Sequence, residues 1–176
     1  MLRVLGRRFA YYRLIYNIVS VLTLAPIVLF IHHAEQVPLI TLSGVWKIVS
    51  WMGLAGAFGL LFAGTRVFDN GVFFGFTQIA AHRAGRTDLK AQFSTRGILN
   101  HIRHPYYTAG ILAAITFGDL TDLTLAVKAV LIAYLIVGAM LEEKKLLAEF
   151  GDNYREYQER VPMFVPRLIG SRRQGA

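Results

Sequence analysis

The chain has no cysteine. That excludes a disulfide, a thiol nucleophile and a thiolate metal site, so any sulfur chemistry must come from a cofactor or a substrate. It also lacks a P-loop, a zinc motif and a serine at a nucleophile elbow. No repeat or low-complexity tract interrupts it. Acidic residues are scarce, 11 against 19 Lys and Arg. Polar surface is scarce too: 55% of the 176 residues are hydrophobic, more than a soluble domain of this size can hide.

Four apolar stretches account for the excess: Leu14–Ile31 without a charge, Leu39–Gly64 broken only by Lys47, Tyr106–Gly118 without a charge, and Leu123–Leu141 broken only by Lys128. A spanning helix needs roughly 20 apolar residues, because each rises about 1.5 Å through a hydrocarbon core about 30 Å thick. The third stretch is short alone and needs its neighbours. The first follows basic residues, as a signal peptide would, but His32, His33 and Glu35 come next rather than a small-residue cleavage site. It reads as a retained helix. The expectation is an all-α integral membrane protein with about four transmembrane helices, or five with a re-entrant or interfacial helix.

The net charge of +8 could suggest nucleic acid. Its distribution argues against that partner. Every Lys and Arg except Lys47 and Lys128 lies before the first span, between the second and third, or after the fourth. The remaining loops, His32–Pro38 and Asp119–Asp122, carry acids but no Lys or Arg. This positive-inside pattern predicts a multi-pass protein with both termini in the cytoplasm, its basic surplus facing anionic lipid head groups. A prokaryotic inner membrane is the expected location.

The chain reads as one domain, 1–176. It comprises a helical hairpin over 14–64, a cytoplasmic or interfacial loop over 65–102, and a core over 103–168. Residues 1–13 look like a basic amphipathic lead-in, and Val67–Ala81 like a segment in the interface plane. In the second helix Ala55, Gly59 and Ala63 stand four apart, a spacing that lets helices approach closely. Gly151 is the predicted end of the last long helix, Asp152–Arg160 a short polar helix, and Pro162 and Pro166 breaks in regular structure.

Two clusters could carry chemistry. Arg103-His104-Pro105-Tyr106-Tyr107 opens a helix, where unpaired N–H groups and the dipole favour an anion. Glu142-Glu143 ends the last span, their side chains about 100° apart, so one easily faces inward and the sequence leaves open which. Alone, the first also reads as an interface anchor and the second as a solvated helix end. As the two feet of one helical hairpin, they must lie near each other. Tyr154, Tyr157 and Val-Pro-Met-Phe-Val-Pro follow closely enough to fold over them. No metal site is expected: His101 and His104 are three apart, but Pro105 breaks the helix that would align them.

Arg-His-Pro-Tyr-Tyr-Thr-Ala-Gly (103–110), Glu-Glu-Lys-Lys-Leu-Leu (142–147), Phe-Gly-Asp-Asn-Tyr-Arg-Glu-Tyr (150–157) and Val-Pro-Met-Phe-Val-Pro (161–166) together resemble the isoprenylcysteine carboxyl methyltransferase superfamily. That group is similar in plan to bacterial phospholipid methyltransferases and methanethiol S-methyltransferases. Phe74-Gly75-Phe76-Thr77-Gln78 resembles the small-thiol branch. The resemblance implies S-adenosylmethionine as methyl donor, in a cytoplasmic pocket under the C-terminal segment. It implies cofactor contacts from His104, Tyr106, Tyr107, Gly110, Glu142 and Tyr154, and a catalytic or substrate-orienting pair in Arg103 and Glu143. The acceptor it implies is an isoprenylcysteine carboxylate, a phospholipid amine or a small thiol. A related NADPH-dependent sterol reductase and a non-catalytic membrane adaptor are the alternatives.

Overall fold

The computed structural model describes residues 12–68 and 95–166. The lead-in over 1–11, most of the interfacial segment (69–94), with the Phe-Gly-Phe-Thr-Gln stretch, and the basic tail over 167–176 lie outside the described residues. The described chain is mostly helical. Three helices are long and apolar enough to cross a membrane: α1 (Tyr12–His33), α2 (Val45–Thr65) and α4 (Asp122–Phe150). The fourth apolar helix, α3 (Pro105–Thr116), has 12 residues. It rises about 18 Å, short of a hydrocarbon core of about 30 Å. The last helix is α5 (Asp152–Arg160). Two short strands, β1 (Pro38–Ile40) and β2 (Leu120–Thr121), complete the set. α1 falls in one compact unit and the other described elements in a second.

α1 is apolar on all sides, and from Ile15 to Phe30 its large apolar side chains, such as Leu22 and Phe30, are exposed. Exposed apolar side chains all round a helix suit lipid, not water. Within the helix, the Ser20 and Thr23 hydroxyls bond back to carbonyls one turn earlier, which removes them as polar burdens.

In the second unit α3 lies between α2 and α4, antiparallel to both. Small residues set this arrangement. A Cβ at Gly53 would stand 2.3 Å from Thr116 Cγ2, and one at Gly64 would stand 2.6 Å from the Tyr106 ring. Between them Gly56 faces Leu112, and Ala57 is buried. So the face of α2 that meets α3 is Gly53, Gly56, Ala57 and Gly64. The Ala55–Gly59–Ala63 stripe, expected from its four-residue spacing, does not make this contact: Gly59 has nothing within 4 Å of its Cβ position. On the other side, Gly110 of α3 admits Leu135 of α4, and Gly138 of α4 admits the Tyr107 ring.

The apolar run that begins at Leu39 is not all helix. Pro38–Ile40 pairs antiparallel with Leu120–Thr121, and α2 starts only after Gly44, whose φ of 54° suits glycine. Proline at the head of the run and the partner strand divert it. Asp122 takes part on both sides, accepting from the Val37 N–H at 3.1 Å and donating its own N–H to the Val37 carbonyl at 3.1 Å. Asp119 accepts from the Leu42 N–H at 2.8 Å. The acids of this loop thus satisfy backbone that a helix would otherwise satisfy itself.

α4 starts with a reciprocal cap: the Thr121 hydroxyl accepts from the Thr124 N–H, and the Thr124 hydroxyl accepts from the Thr121 N–H. It ends at Gly151, which turns at φ 57° and donates to the Leu147 carbonyl. α5 begins at the next residue. Tyr154 and Tyr157 form its buried side and, with Val161 just beyond it, pack on Leu146, Leu147 and Phe150. α5 is thereby folded back along the polar end of α4.

Candidate functional site

Beyond Leu141 helix α4 turns polar, and its rotation decides which glutamate is buried. Ala139 is fully buried, and Glu143 lies one turn further on the same face. Glu143 is 9% exposed, whereas Glu142 is open to solvent. Glu143 meets two further segments. The stretch before α3 is drawn inward by buried Leu99 and Ile102, and carries Arg103 and His104. α5 presents Tyr154 and, one turn later, Gln158.

All four side chains donate to Glu143. His104 Nε2 stands 2.6 Å from Oε1, and the Tyr154 hydroxyl stands 2.7 Å from the same oxygen. Arg103 Nη1 and the Gln158 side-chain amide share Oε2. A carboxylate offers about four lone-pair sites, so these donors fill it. Facing an anionic oxygen, His104 carries its proton on Nε2. A buried ion pair stands only when further hydrogen bonds offset the lost hydration; here three accompany the Arg103 contact. Arg103 keeps one loose end: its buried Nε has no hydrogen-bond partner among the described residues.

The tyrosines of α5 act as donors. Burial, and then the hydrogen bond to Glu143, push the Tyr154 phenol well above its usual range. Burial pushes Tyr157 up to about 12, and its hydroxyl donates to the Leu99 carbonyl at 2.6 Å. Both stay protonated at physiological pH, so neither serves as a base there.

The segment after α5 closes over this cluster. Pro162 keeps Val161–Pro166 out of a helix, which leaves its carbonyls free to bond elsewhere. The Arg103 N–H donates to the Pro162 carbonyl at 3.0 Å, and the His104 N–H to the Met163 carbonyl at 3.2 Å. The Thr108 hydroxyl donates to the Phe164 carbonyl at 2.9 Å. The Arg103 and His104 amides, just ahead of α3, are therefore met by carbonyls of this segment. The Phe164 ring lies 6.4 Å from the His104 ring.

The eight residues singled out from sequence separate into three places. Arg103, His104, Glu143 and Tyr154 form the buried cluster. Tyr107 and Glu142 make a second pair, the phenol lying close enough to the exposed carboxylate to feel its charge. The Tyr107 ring also meets the His104 ring edge-on at 5.4 Å, which connects the pair to the cluster. Tyr106 and Gly110 stand in helix packing, against Gly64 and Leu135. Sequence reasoning missed Gln158 and Thr108. Gln158 had a readable signal, since it stands four residues after Tyr154 and hence on the same helix face.

The chain is similar to several curated bacterial proteins. It is 35% identical over 126 residues to methanethiol S-methyltransferase 2 of Bradyrhizobium diazoefficiens, covering 71% of this chain and 47% of the relative. It is 35% identical over 107 residues to methanethiol S-methyltransferase 1 of the same organism, covering 61% and 38%. It is 29% identical over 126 residues to a methanethiol S-methyltransferase of Pseudomonas deceptionensis, covering 72% and 47%. The chain thus spans about half the length, or less, of these relatives. No family model matches it, and no solved structure does. The resemblance carried by the four motifs is borne out, in its methanethiol S-methyltransferase-like branch.

Proposed function

We propose that this chain, whose relatives are methanethiol S-methyltransferases, transfers a methyl group from S-adenosylmethionine to a small thiol at the cytoplasmic face of a bacterial membrane. The observation that carries the reading is the 35% identity to such an enzyme across 71% of the chain. The buried cluster adds a second support, because it lies where all four motifs meet.

The residues present fit such a donor. It has an amino-acid end, a sulfonium and ribose hydroxyls, and it supplies an electrophilic methyl group when bound. The exposed Glu142 carboxylate beside Tyr107 suits an ammonium or a ribose diol. The orphaned Arg103 Nε is a donor that an anionic oxygen or sulfur would satisfy. Aromatic rings at His104, Tyr107 and Phe164 offer faces to a cation.

The protein's part is mainly alignment. Displacement at a methyl carbon needs the nucleophile held in line and water kept away more than it needs an acid. A thiol attacks as its thiolate, having lost a proton to solvent. The fixed charge of Arg103 favours that anion and sets its direction. Glu143 holds Arg103 and His104 in register, and the strap over 161–166 screens them from the aqueous side.

Calorimetric titration of the detergent-solubilised protein with S-adenosylhomocysteine tests the donor assignment. Saturable binding is expected, weakened about tenfold in Glu142→Ala, as for loss of one charge-assisted hydrogen bond. A folded wild type that releases no heat of binding contradicts the assignment.

A further inference from the structure

We propose that Gln158 is a positioning residue for the transfer: by sharing Glu143 Oε2 with Arg103, it fixes the carboxylate that aims the guanidinium at the acceptor. This rests on the methyl-transfer reading above.

Three observations support it. First, Glu143 is gripped at both oxygens, His104 and Tyr154 on Oε1, and Arg103 and Gln158 on Oε2. Without Gln158, Oε2 depends on Arg103 alone, and the guanidinium loses the fixed surface it rests on. Second, Gln158 donates without bringing charge. Arg103 already balances Glu143, so a cation at 158 would compete for Oε2 and an acid would repel it. Third, Gln158 departs from its surroundings. Arg155, Glu156, Glu159 and Arg160 are exposed, while Gln158 is half-buried against the cluster. In a run of solvated charges, the one neutral amide faces the ion pair.

Gln158→Glu tests the contact with a signature that simple loss of packing does not give. It sets a second carboxylate against Glu143, and two adjacent carboxylates share one proton rather than both ionising. The groups facing that proton are Glu143 from α4, Arg103 and His104 from before α3, and Tyr154 and Tyr157 from α5. The shared proton raises the folded-state pKa above that of the unfolded glutamate. Function and stability are then full below the ordinary glutamate range and are lost as pH rises through the raised value.

Turnover of methanethiol and melting temperature are to be measured from about pH 5 to about pH 9, a range that brackets raised carboxyl pKa values. Relative to wild type, Gln158→Glu turnover is expected to fall roughly tenfold for each pH unit above the pKa of the shared proton. Gln158→Leu is expected to lower kcat at every pH, with the wild-type profile shape and little change in melting temperature. Glu159→Gln, an exposed neighbour, should follow wild type throughout.

A Gln158→Glu profile parallel to wild type, or a Gln158→Leu enzyme with wild-type kcat, overturns the proposal. If Gln158→Glu folds at no pH, the kcat of Gln158→Leu decides. If the wild type methylates no thiol, the reaction assigned above is wrong. The melting profiles then still judge the contact: a Gln158→Glu melting temperature that drops with pH against Glu159→Gln supports it, and parallel curves overturn it.

Discussion

Glu143→Ala is expected to end turnover and to destabilise the protein by about 3–5 kcal/mol, the usual cost of removing one partner of a buried ion pair. The deletion leaves the Arg103 guanidinium without a counter-charge. It also leaves His104 Nε2, the Tyr154 hydroxyl and the Gln158 amide without the acceptor each now uses. α5 loses two of its ties to α4. Melting temperature in detergent should drop by on the order of 10 °C. Glu143→Gln keeps the shape but sets an amide NH2 against the two donors that shared one oxygen, so it should recover part of the stability and none of the turnover. A Glu143→Ala protein that melts like wild type would show that the cluster is not a support for the site.

Arg103→Lys is expected to lower turnover about a hundredfold, the scale of a misplacement near 1 Å at the reacting atoms, with a melting temperature close to wild type. Lysine keeps the positive charge and can still pair with Glu143. It has no Nε and no planar fork, so it cannot present a second, fixed donor while it holds the carboxylate. The separation of the two effects is the point. The expected results differ because Glu143→Ala would remove stability and function together, whereas Arg103→Lys would remove function alone. An Arg103→Lys enzyme with more than half of wild-type turnover would remove the guanidinium from the reaction.

Punctuation residues made much of this legible from sequence. Pro105 opens α3, Gly151 closes α4, and α5 runs from Asp152 to Arg160 as the Gly and Val-Pro signals predict. Each acts through its own backbone, so no partner is needed to read it. The start of α2 was not legible, because hydropathy cannot distinguish Leu39 and Ile40 in a strand from the same residues in a helix. The pairing with Leu120–Thr121 lies some eighty residues away and decides it. The choice among small-residue stripes on α2 failed for the same reason. Gly53, Gly56 and Gly64 are used because Thr116, Leu112 and Tyr106 press on them.

The site shows the same division. That Arg103, His104 and a glutamate meet follows from a hairpin with both clusters at its feet. Which glutamate is buried does not follow, since adjacent helical residues diverge by about 100°. The rotation of α4 is set by Ala139 packing and by Tyr107 seated on Gly138. Gln158 was legible only through its four-residue spacing from Tyr154, and the docking of α5 through Tyr154 and Tyr157 brings that face to Glu143.

The most direct test of the central claim is transfer itself. The detergent-solubilised chain is incubated with methanethiol and S-adenosylmethionine labelled on its methyl group, and the headspace is assayed for dimethyl sulfide. Labelled dimethyl sulfide from wild type, with about a hundredfold less from Arg103→Lys, is the result expected from a misaligned acceptor. A folded wild type that yields no labelled product, or an Arg103→Lys variant that matches it, would contradict the account.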